Sequence, residues 1–413
     1  MRICFVMPAL PHYFKLLLNK LVIATDYEIL MVKPAQKGKA TGAAVKEETD
    51  NALFRILELE EYKTWYGKAF YRNLLPALEE FRPDIVVFTT WPYFLYLTLN
   101  PLFYRKLRKL GTKLIARDIP FNYAIWGHVK EFYFSDKFLN ENFSSAKKTW
   151  KGFVLFWIAS LIRRINLPLA DAHINYIDEA REIIGSYGVP DNKIFVISNS
   201  PDTDELLAAF ETVKNRPAIL PPNPHRLIHV GRLVKWKRVD LIINAVQQLR
   251  PSYPNIELVV VGFGPELEPL KAQAQKMGLL QSVRFVGGVY NAVDLGQYLS
   301  ESAVYVLGGM GGLSINDAMC FAKPIVCSVA DGTEKRLVRE DYNGYYFENG
   351  NEADLVRVLD RLLTDPEKVK TFGKRSFGII TDEINIHTAI EGYKKVFDFV
   401  ANKNFPIGQT LTK

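Results

Sequence analysis

The sequence is poor in residues that build covalent or metal-bound frameworks. It has three cysteines in 413 residues, Cys4, Cys320 and Cys327. They are too few for a disulfide scaffold and lack metal-ligand spacing, which fits a reducing compartment. No HExxH, CxxC or Walker A pattern occurs. No apolar stretch approaches the roughly 20 residues that a membrane-spanning helix needs. The opening MRICFVMPALPHY carries one basic residue and is interrupted by Pro8 and Pro11, so it reads as a first strand and not as a signal peptide. Repeats at solenoid spacing are absent too.

What is present is a large apolar fraction, 48%, beside 23% charged residues, the balance of a soluble protein with a real core. The length suggests two or three domains. The net charge of +7 is unevenly placed: Asn100 to Arg164 holds thirteen Lys or Arg against four acids, Asp118, Glu131, Asp136 and Glu141. Such a patch points to nucleic acid, an anionic membrane or an acidic ligand. No RNA- or DNA-binding motif accompanies it, so nucleic acid is set aside. Within the patch, KKTWKGFVLFWIASLIRRINLP (147–168) brackets the apolar run Phe153–Ile162 with Lys147, Lys148, Lys151, Arg163 and Arg164. Lying in a membrane interface, a helix here would put Phe153, Phe156, Trp157 and Ile158 among lipids and the cations at headgroup level. A second basic and aromatic candidate is 95–113, and the plain alternative is a core helix with solvated ends.

Short apolar runs alternate with amphipathic segments along most of the chain. Strands are expected at 2–7, 27–33, 84–90, 112–118, 172–177 and 193–199, with helices over 66–81, 93–109 and 178–187. In the second half, strands are expected at 226–231, 256–262, 283–287, 304–308 and 324–329, with helices over 239–249, 265–277, 294–300 and 314–322. Continuous apolar strands between helices argue for parallel sheets covered on both faces, an α/β class. The proline-rich NRPAILPPNP (215–224) reads as a linker. Two doubly wound domains follow, 1–214 and 225–383, with ligands expected at the carboxyl ends of the strands.

Three strand-to-helix turns carry the chemistry. In HVGRLVKWKRVDLIINAVQQL, Gly231 permits a tight exit, and Arg232 and Lys237 stand beside the next helix's N-terminus. Backbone amides and two cations converging there suit a diphosphate; a solvated basic loop is the alternative. In LVVVGFGPELEPL, Gly262, Gly264 and Pro265 make a turn that is weak evidence by itself. In VYVLGGMGGLSINDAM, Gly308, Gly309, Gly311 and Gly312 precede a helix starting near Ser314, so that amides through Leu313 can approach a phosphate or sugar hydroxyl. Asp317 lies on that helix's first turn, where a plain helix-dipole role is also open. Asp202-Thr203-Asp204 is formally a DxD but follows a strand exit away from these turns. His225 and His229 flank a strand, where residues four apart lie about 13 Å from each other, too far to share a metal.

In order and spacing these motifs resemble the family 4 retaining glycosyltransferases of the GT-B fold, over roughly 170–350. The resemblance implies two Rossmann-like parallel-sheet domains facing across a cleft, and a C-terminal segment, 384–413, returning to the first domain. It implies sugar transfer with retention from a nucleotide diphosphate sugar, UDP favoured and GDP possible, to a lipid-linked saccharide in surface polysaccharide synthesis. No cofactor and no metal is implied, and the place implied is the inner face of a bacterial plasma membrane. Arg232 and Lys237 would hold the diphosphate; Gly262 and Gly264 would border the nucleotide. The backbone at Val286 and Gly287 would read the base, Gly309–Leu313 would line the loop, and Asp317 would bind the ribose. Asp118 or His12, at the ends of first-domain strands, would activate the acceptor hydroxyl. Two departures stand out: Gly309 occupies the place of the family's first motif glutamate, and Arg117 precedes Asp118 where many relatives carry histidine. They leave open a nucleotide-sugar epimerase or a binding subunit without catalysis.

Overall fold

The computed structural model describes residues 1–35, 49–89, 91–120, 122–140, 146–329 and 332–401. Thr90 of the expected strand 84–90, Glu141 of the charge count and the stretch 402–413 lie outside the described residues. Two compact units divide the chain. The first comprises Met1–Leu139, Ser145–Ser198 and the chain from His387 onward; the second includes Asn199–Ile386.

The first unit's strands are, in chain order, β1 (Arg2–Val6), β2 (Glu28–Pro34), β3 (Arg55–Leu59), β4 (Glu61–Lys63), β5 (Ala69–Tyr71), β6 (Ile85–Phe88), β7 (Lys113–Arg117), β8 (Ala172–Asn175) and β9 (Ile194–Val196), and the central ones, such as β1 and β6, are apolar runs with no polar face. Seven of them form a parallel sheet in the order β3-β2-β1-β6-β7-β8-β9. β4 and β5 pair separately as an antiparallel hairpin, so the helix expected over 66–81 is confined to Leu74–Phe81. The helix expected over 93–109 breaks at Pro101, which lacks an amide proton. Asn100 caps the second piece, its Oδ1 accepting from the Phe103 amide at 3.1 Å. The last helix, Ile386–Val400, buries Tyr393, Val396 and Phe397, with Phe397 edge-on to Phe5 at 6.3 Å.

The second unit's sheet holds β10 (Arg226–Val230), β11 (Glu257–Val261), β12 (Val283–Gly287), β13 (Val304–Leu307), β14 (Ile325–Ser328) and β15 (Gly344–Phe347), all parallel, in the order β12-β11-β10-β13-β14-β15. Helices cover both faces, and the apolar strands feed two core clusters, one on each side. The expected boundary after 214 is corrected to 198/199. Helix Thr203–Val213 packs Leu206, Ala209 and Val213 into the cluster that holds Leu299, Ala318 and Phe321. Residues 215–224 are therefore no linker between units. They lie inside the second, where the Ile219 and Leu220 amides donate to the Glu301 carboxylate at 2.9 and 2.7 Å. Prolines excluded regular structure there without marking a domain border.

The basic aromatic segment folds as a helix, Trp150–Asn166, capped by Thr149 Oγ1 accepting from the Gly152 amide at 3.0 Å. Its inner face carries Phe156, Ser160, Arg163 and Asn166, and Phe156 packs among Phe132, Tyr133 and Phe138. Trp150, Val154, Leu155, Trp157, Ile158, Leu161 and Ile165 stand outside, each at least 40% exposed. Of the residues expected among lipids, Trp157 and Ile158 are placed for it, whereas Phe156 is core and Phe153 half-buried beside it. Arg163 is no headgroup ligand, because helical spacing turns it inward with Phe156. Extended through Leu169, this is, among the described residues, the one helix long and apolar enough to cross a membrane, with 20 residues and mean hydropathy 1.3. The expectation that no stretch approaches that length is corrected, since the helix continues through Arg163 and Arg164. In 95–113 the aromatic face points inward: Phe103 and Leu107 are buried, and Arg108 pairs with Asp171 at 2.6 Å.

Candidate functional site

β10, β11, β12 and β13 are neighbours in one parallel sheet, so their carboxyl ends present four turns along one edge. The turns after β10 and β11 are zipped together: the Gly231 amide donates to Val261 O at 2.9 Å and the Leu233 amide to Phe263 O at 2.9 Å. Gly262 has φ +147°, and a Cβ there would stand 1.8 Å from Gly231 O. At Gly264, φ +158°, a Cβ would stand 2.2 Å from Leu233 O. Only glycine fits either position, so both residues serve loop-to-loop contact before any contact with a ligand. The Gly262 amide reaches Gly287 O at 2.7 Å, which ties in the end of β12 with Val286.

The glycine loop after β13 docks on the turn Lys235–Lys237. Met310 donates its amide to Trp236 O at 2.9 Å, and Lys237 Nζ donates to Met310 O at 2.9 Å and Gly311 O at 2.5 Å. Gly309 is buried, and a Cβ on it would stand 2.2 Å from Trp236 O. This glycine packs against backbone, Met310 spends its amide on Trp236 O, and the Gly309, Gly311, Gly312 and Leu313 amides have no backbone partner among the described residues. Lys237 braces that loop as well as charging it. Arg232 is half-buried, with its guanidinium 5.4 Å from the Trp236 ring centre, and no carboxylate among the described residues pairs with it.

Asp317 occupies the first turn of helix Ser314–Cys320. Burial raises its carboxyl to about 7, so it is half-charged near neutrality. Tyr305 OH and Ser314 Oγ, 2.7 Å apart, fix the turn beneath it. Two aromatics that the sequence did not single out stand beside the glycine turns: Phe263, 51% exposed, and Tyr290, 64% exposed, edge to face at 6.3 Å. The signal for Phe263 was a large apolar residue flanked by the obligatory Gly262 and Gly264. Glu334, a carboxylate buried in the turn after β14, was also missed.

In the first unit, Asp118 follows β7. Its Oδ2 accepts from the Tyr123 hydroxyl at 2.6 Å and its Oδ1 from the Ile119 amide at 2.9 Å. Burial raises this carboxyl above the usual range, against the pull of those donors, of Arg163 and of the Trp91 amide. A cavity of about 10 Å³, room for about one water, is lined in part by Trp91, Arg117, Asp118, Tyr123, His173 and Asn175. His173 is pushed down to about 4 by burial and donates Nε2–H to Leu167 O at 2.9 Å. Arg117 turns away, donating to Tyr393 OH at 2.8 Å. His12 stands exposed at the end of β1, separated from Asp118's strand by β6.

Asp202 caps helix Thr203–Val213, accepting from the Glu205 amide at 3.3 Å. His225 bonds Asn255 at 2.7 Å, and His229, lowered to about 4 by burial, donates Nδ1–H to Val306 O at 3.1 Å. Among the described residues no cluster of three or more His, Cys, Asp or Glu has metal-site geometry.

Residues 210–377 match the family described as Glycosyl transferases group 1. An uncharacterized glycosyltransferase of Methanocaldococcus jannaschii is 31% identical over 189 residues, 44% of this chain and 46% of the relative. The lipopolysaccharide core biosynthesis glycosyltransferase LpsD of Rhizobium meliloti is 28% identical, over 39% of this chain and 48% of the relative. The chain spans about half the length of the curated relatives it matches. Anabaena Alr3699/HepE in complex with UDP superposes with a TM-score of 0.66 at 16% identity, covering 96% of this chain and all of that one. The two parallel-sheet units are those of the GT-B fold.

Proposed function

We propose that this chain, whose residues 210–377 belong to the group 1 glycosyltransferase family, moves a glycosyl group with retention from a nucleotide diphosphate sugar to a lipid-linked saccharide. The observation that carries the reading is the edge where β10, β11 and β13 end. There Arg232 pairs with no carboxylate among the described residues, and the turn it precedes, through Trp236 O and Lys237 Nζ, holds the loop that carries the Gly311, Gly312 and Leu313 amides. As the donor bond loosens, negative charge grows on the leaving diphosphate, and preorganised donors stabilise it by about 3 kcal/mol each. Lys237 keeps the amide loop in place and adds its charge. Asp317 accepts from the ribose hydroxyls, Gly262 and Gly264 let the chain approach the nucleotide closely, and Phe263 with Tyr290 flank a base set against Val286–Gly287. Solved neighbours in complex with UDP and with UDP-glucose favour a uridine donor; a GDP-mannose-dependent relative keeps guanosine in the panel.

On the acceptor side, Asp118 orients the hydroxyl that attacks, with His12 the second candidate. Helix Trp150–Asn166 seats the first unit on an anionic bilayer at the cytoplasmic face of a plasma membrane. Its seven exposed apolar residues run along one face, and exposed Lys147, Lys151 and Arg164 border them. Cations supply the charge that a metal would otherwise bring, so turnover survives chelation. A panel of nucleotide sugars, read by nucleoside diphosphate release with and without lipid-linked acceptor and in excess EDTA, tests this. Acceptor-dependent release in EDTA is expected. Release of free nucleotide without acceptor would instead indicate an epimerase, and binding without release a non-catalytic subunit.

A further inference from the structure

The inner face of helix Trp150–Asn166 carries a cation into the first unit's core. Arg163 is 7% exposed, and its guanidinium lies 4.0 Å from the ring centre of Tyr123, 4.7 Å from that of Trp91 and 5.8 Å from that of Phe156. Aromatic faces compensate part of the cost of burying a charge. Yet its Nε and Nη1 have no hydrogen-bond partner among the described residues, and no carboxylate there forms an ion pair with it. A guanidinium held so is expensive, and an apolar side chain would stack as well. What an apolar side chain would not do is act on Tyr123.

The Tyr123 hydroxyl donates to Asp118 Oδ2 at 2.6 Å, while Arg163 stacks on the ring of the same tyrosine. A cation on a phenol's face strengthens its O–H as a donor, and a stronger donor favours the ionised carboxylate. The other groups facing Asp118 are the amides of Ile119 and Trp91 and, across the small cavity, neutral His173; Arg117 is directed to Tyr393. Burial works the opposite way on this carboxyl.

We propose that Arg163 is a positioning residue for the acceptor-side carboxylate: acting through the Tyr123 hydroxyl, it keeps Asp118 ionised and aimed at the acceptor hydroxyl. The inference rests on the reading of Asp118 given above. It makes one helix serve two tasks, its outer face meeting lipid and its inner face setting the group that meets the lipid's saccharide.

The test follows kcat/KM for a short soluble acceptor analogue from about pH 5 to about pH 9, with a melting curve for every variant. Arg163→Met should move the acid limb up by about one pH unit or more, Tyr123→Phe likewise, and Arg163→Lys, which restores the charge, by clearly less. An unmoved limb in folded Arg163→Met overturns the inference. Should that variant fail to fold, Tyr123→Phe decides alone, because it removes one hydroxyl and keeps the cage. Asp118→Asn separates the two levels. If it lowers kcat about 10²-fold while the limb of Arg163→Met stays put, the acceptor-side reading stands and the inference fails. If it leaves kcat intact, both fall.

Discussion

Arg232 and Lys237 share a turn but not a task, and their replacement should separate them. Arg232→Ala removes a charge that forms no ion pair among the described residues and stands 5.4 Å from the Trp236 ring centre. It should cut kcat about 10²-fold or more with an unchanged melting temperature. Lys237→Ala also frees the Met310 and Gly311 carbonyls, so it should lower kcat similarly and destabilise by about 1–3 kcal/mol. Steady-state kinetics beside thermal melts distinguish the pair, and near-full activity in either removes it from the phosphate site. Asp317 adds a pH signature. Its carboxyl, raised to about 7, must ionise to accept from ribose hydroxyls, so nucleotide affinity should climb as pH rises through 7 and fall roughly tenfold per unit well below it. In the free protein the sign reverses: the folded state holds this proton longer than the unfolded chain, so stability is lost as pH rises from about 4 to about 7. Asp317→Asn should flatten both dependences, and calorimetry with UDP at three pH values checks the first. A slope that persists in the variant assigns the titration elsewhere.

Helix Trp150–Asn166 poses the sharpest question among the elements, because its exposed face is apolar while its buried face carries Ser160, Arg163 and Asn166 beside Phe156. Trp157→Ser with Ile158→Ser should leave the melt nearly unchanged and reduce sedimentation with anionic liposomes. Phe156→Ala should cost about 3 kcal/mol or more. Lipid binding should weaken with salt without vanishing, since screening reaches the cations and not the buried apolar area. Liposome binding that ignores the Ser substitutions would send the exposed face to another use. The sequence showed an aromatic run between cations but not its phase, which tertiary contacts with Phe132 and Phe138 decide. Other elements were legible to different depths. Strands apolar on both faces, such as β1 and β11, were read directly. The edge strand β3 was not, because RILEL interleaves charge and has no fully buried residue. In the site, glycines and cations were visible as a pattern. Their division of labour was not: that Gly309 is required for close packing on Trp236 O is seen only in the fold, and the exposure of Phe263 and Tyr290 is a property of the folded edge alone.

At the scale of the whole molecule, the proposed reading assigns donor chemistry to one separately built sheet and acceptor chemistry to the other, which makes a prediction about each. UDP affinity should be insensitive to Arg163→Lys or Trp157→Ser, which lie in the first unit, as isothermal titration would show; parallel losses would mean that the division is wrong. The chain also crosses from the second unit back to the first at its last helix. Tyr393, Val396 and Phe397 of Ile386–Val400 complete a core begun by Phe5 and Phe14. During synthesis the ribosome therefore releases the start of the first unit's core long before its finish. The first unit's strands are all made by Val196, yet the second unit, contiguous from Asn199 to Ile386, is fully synthesised before the helix that completes the first. The domain made first is the domain finished last, and in the interval its nascent apolar surface is work for chaperones.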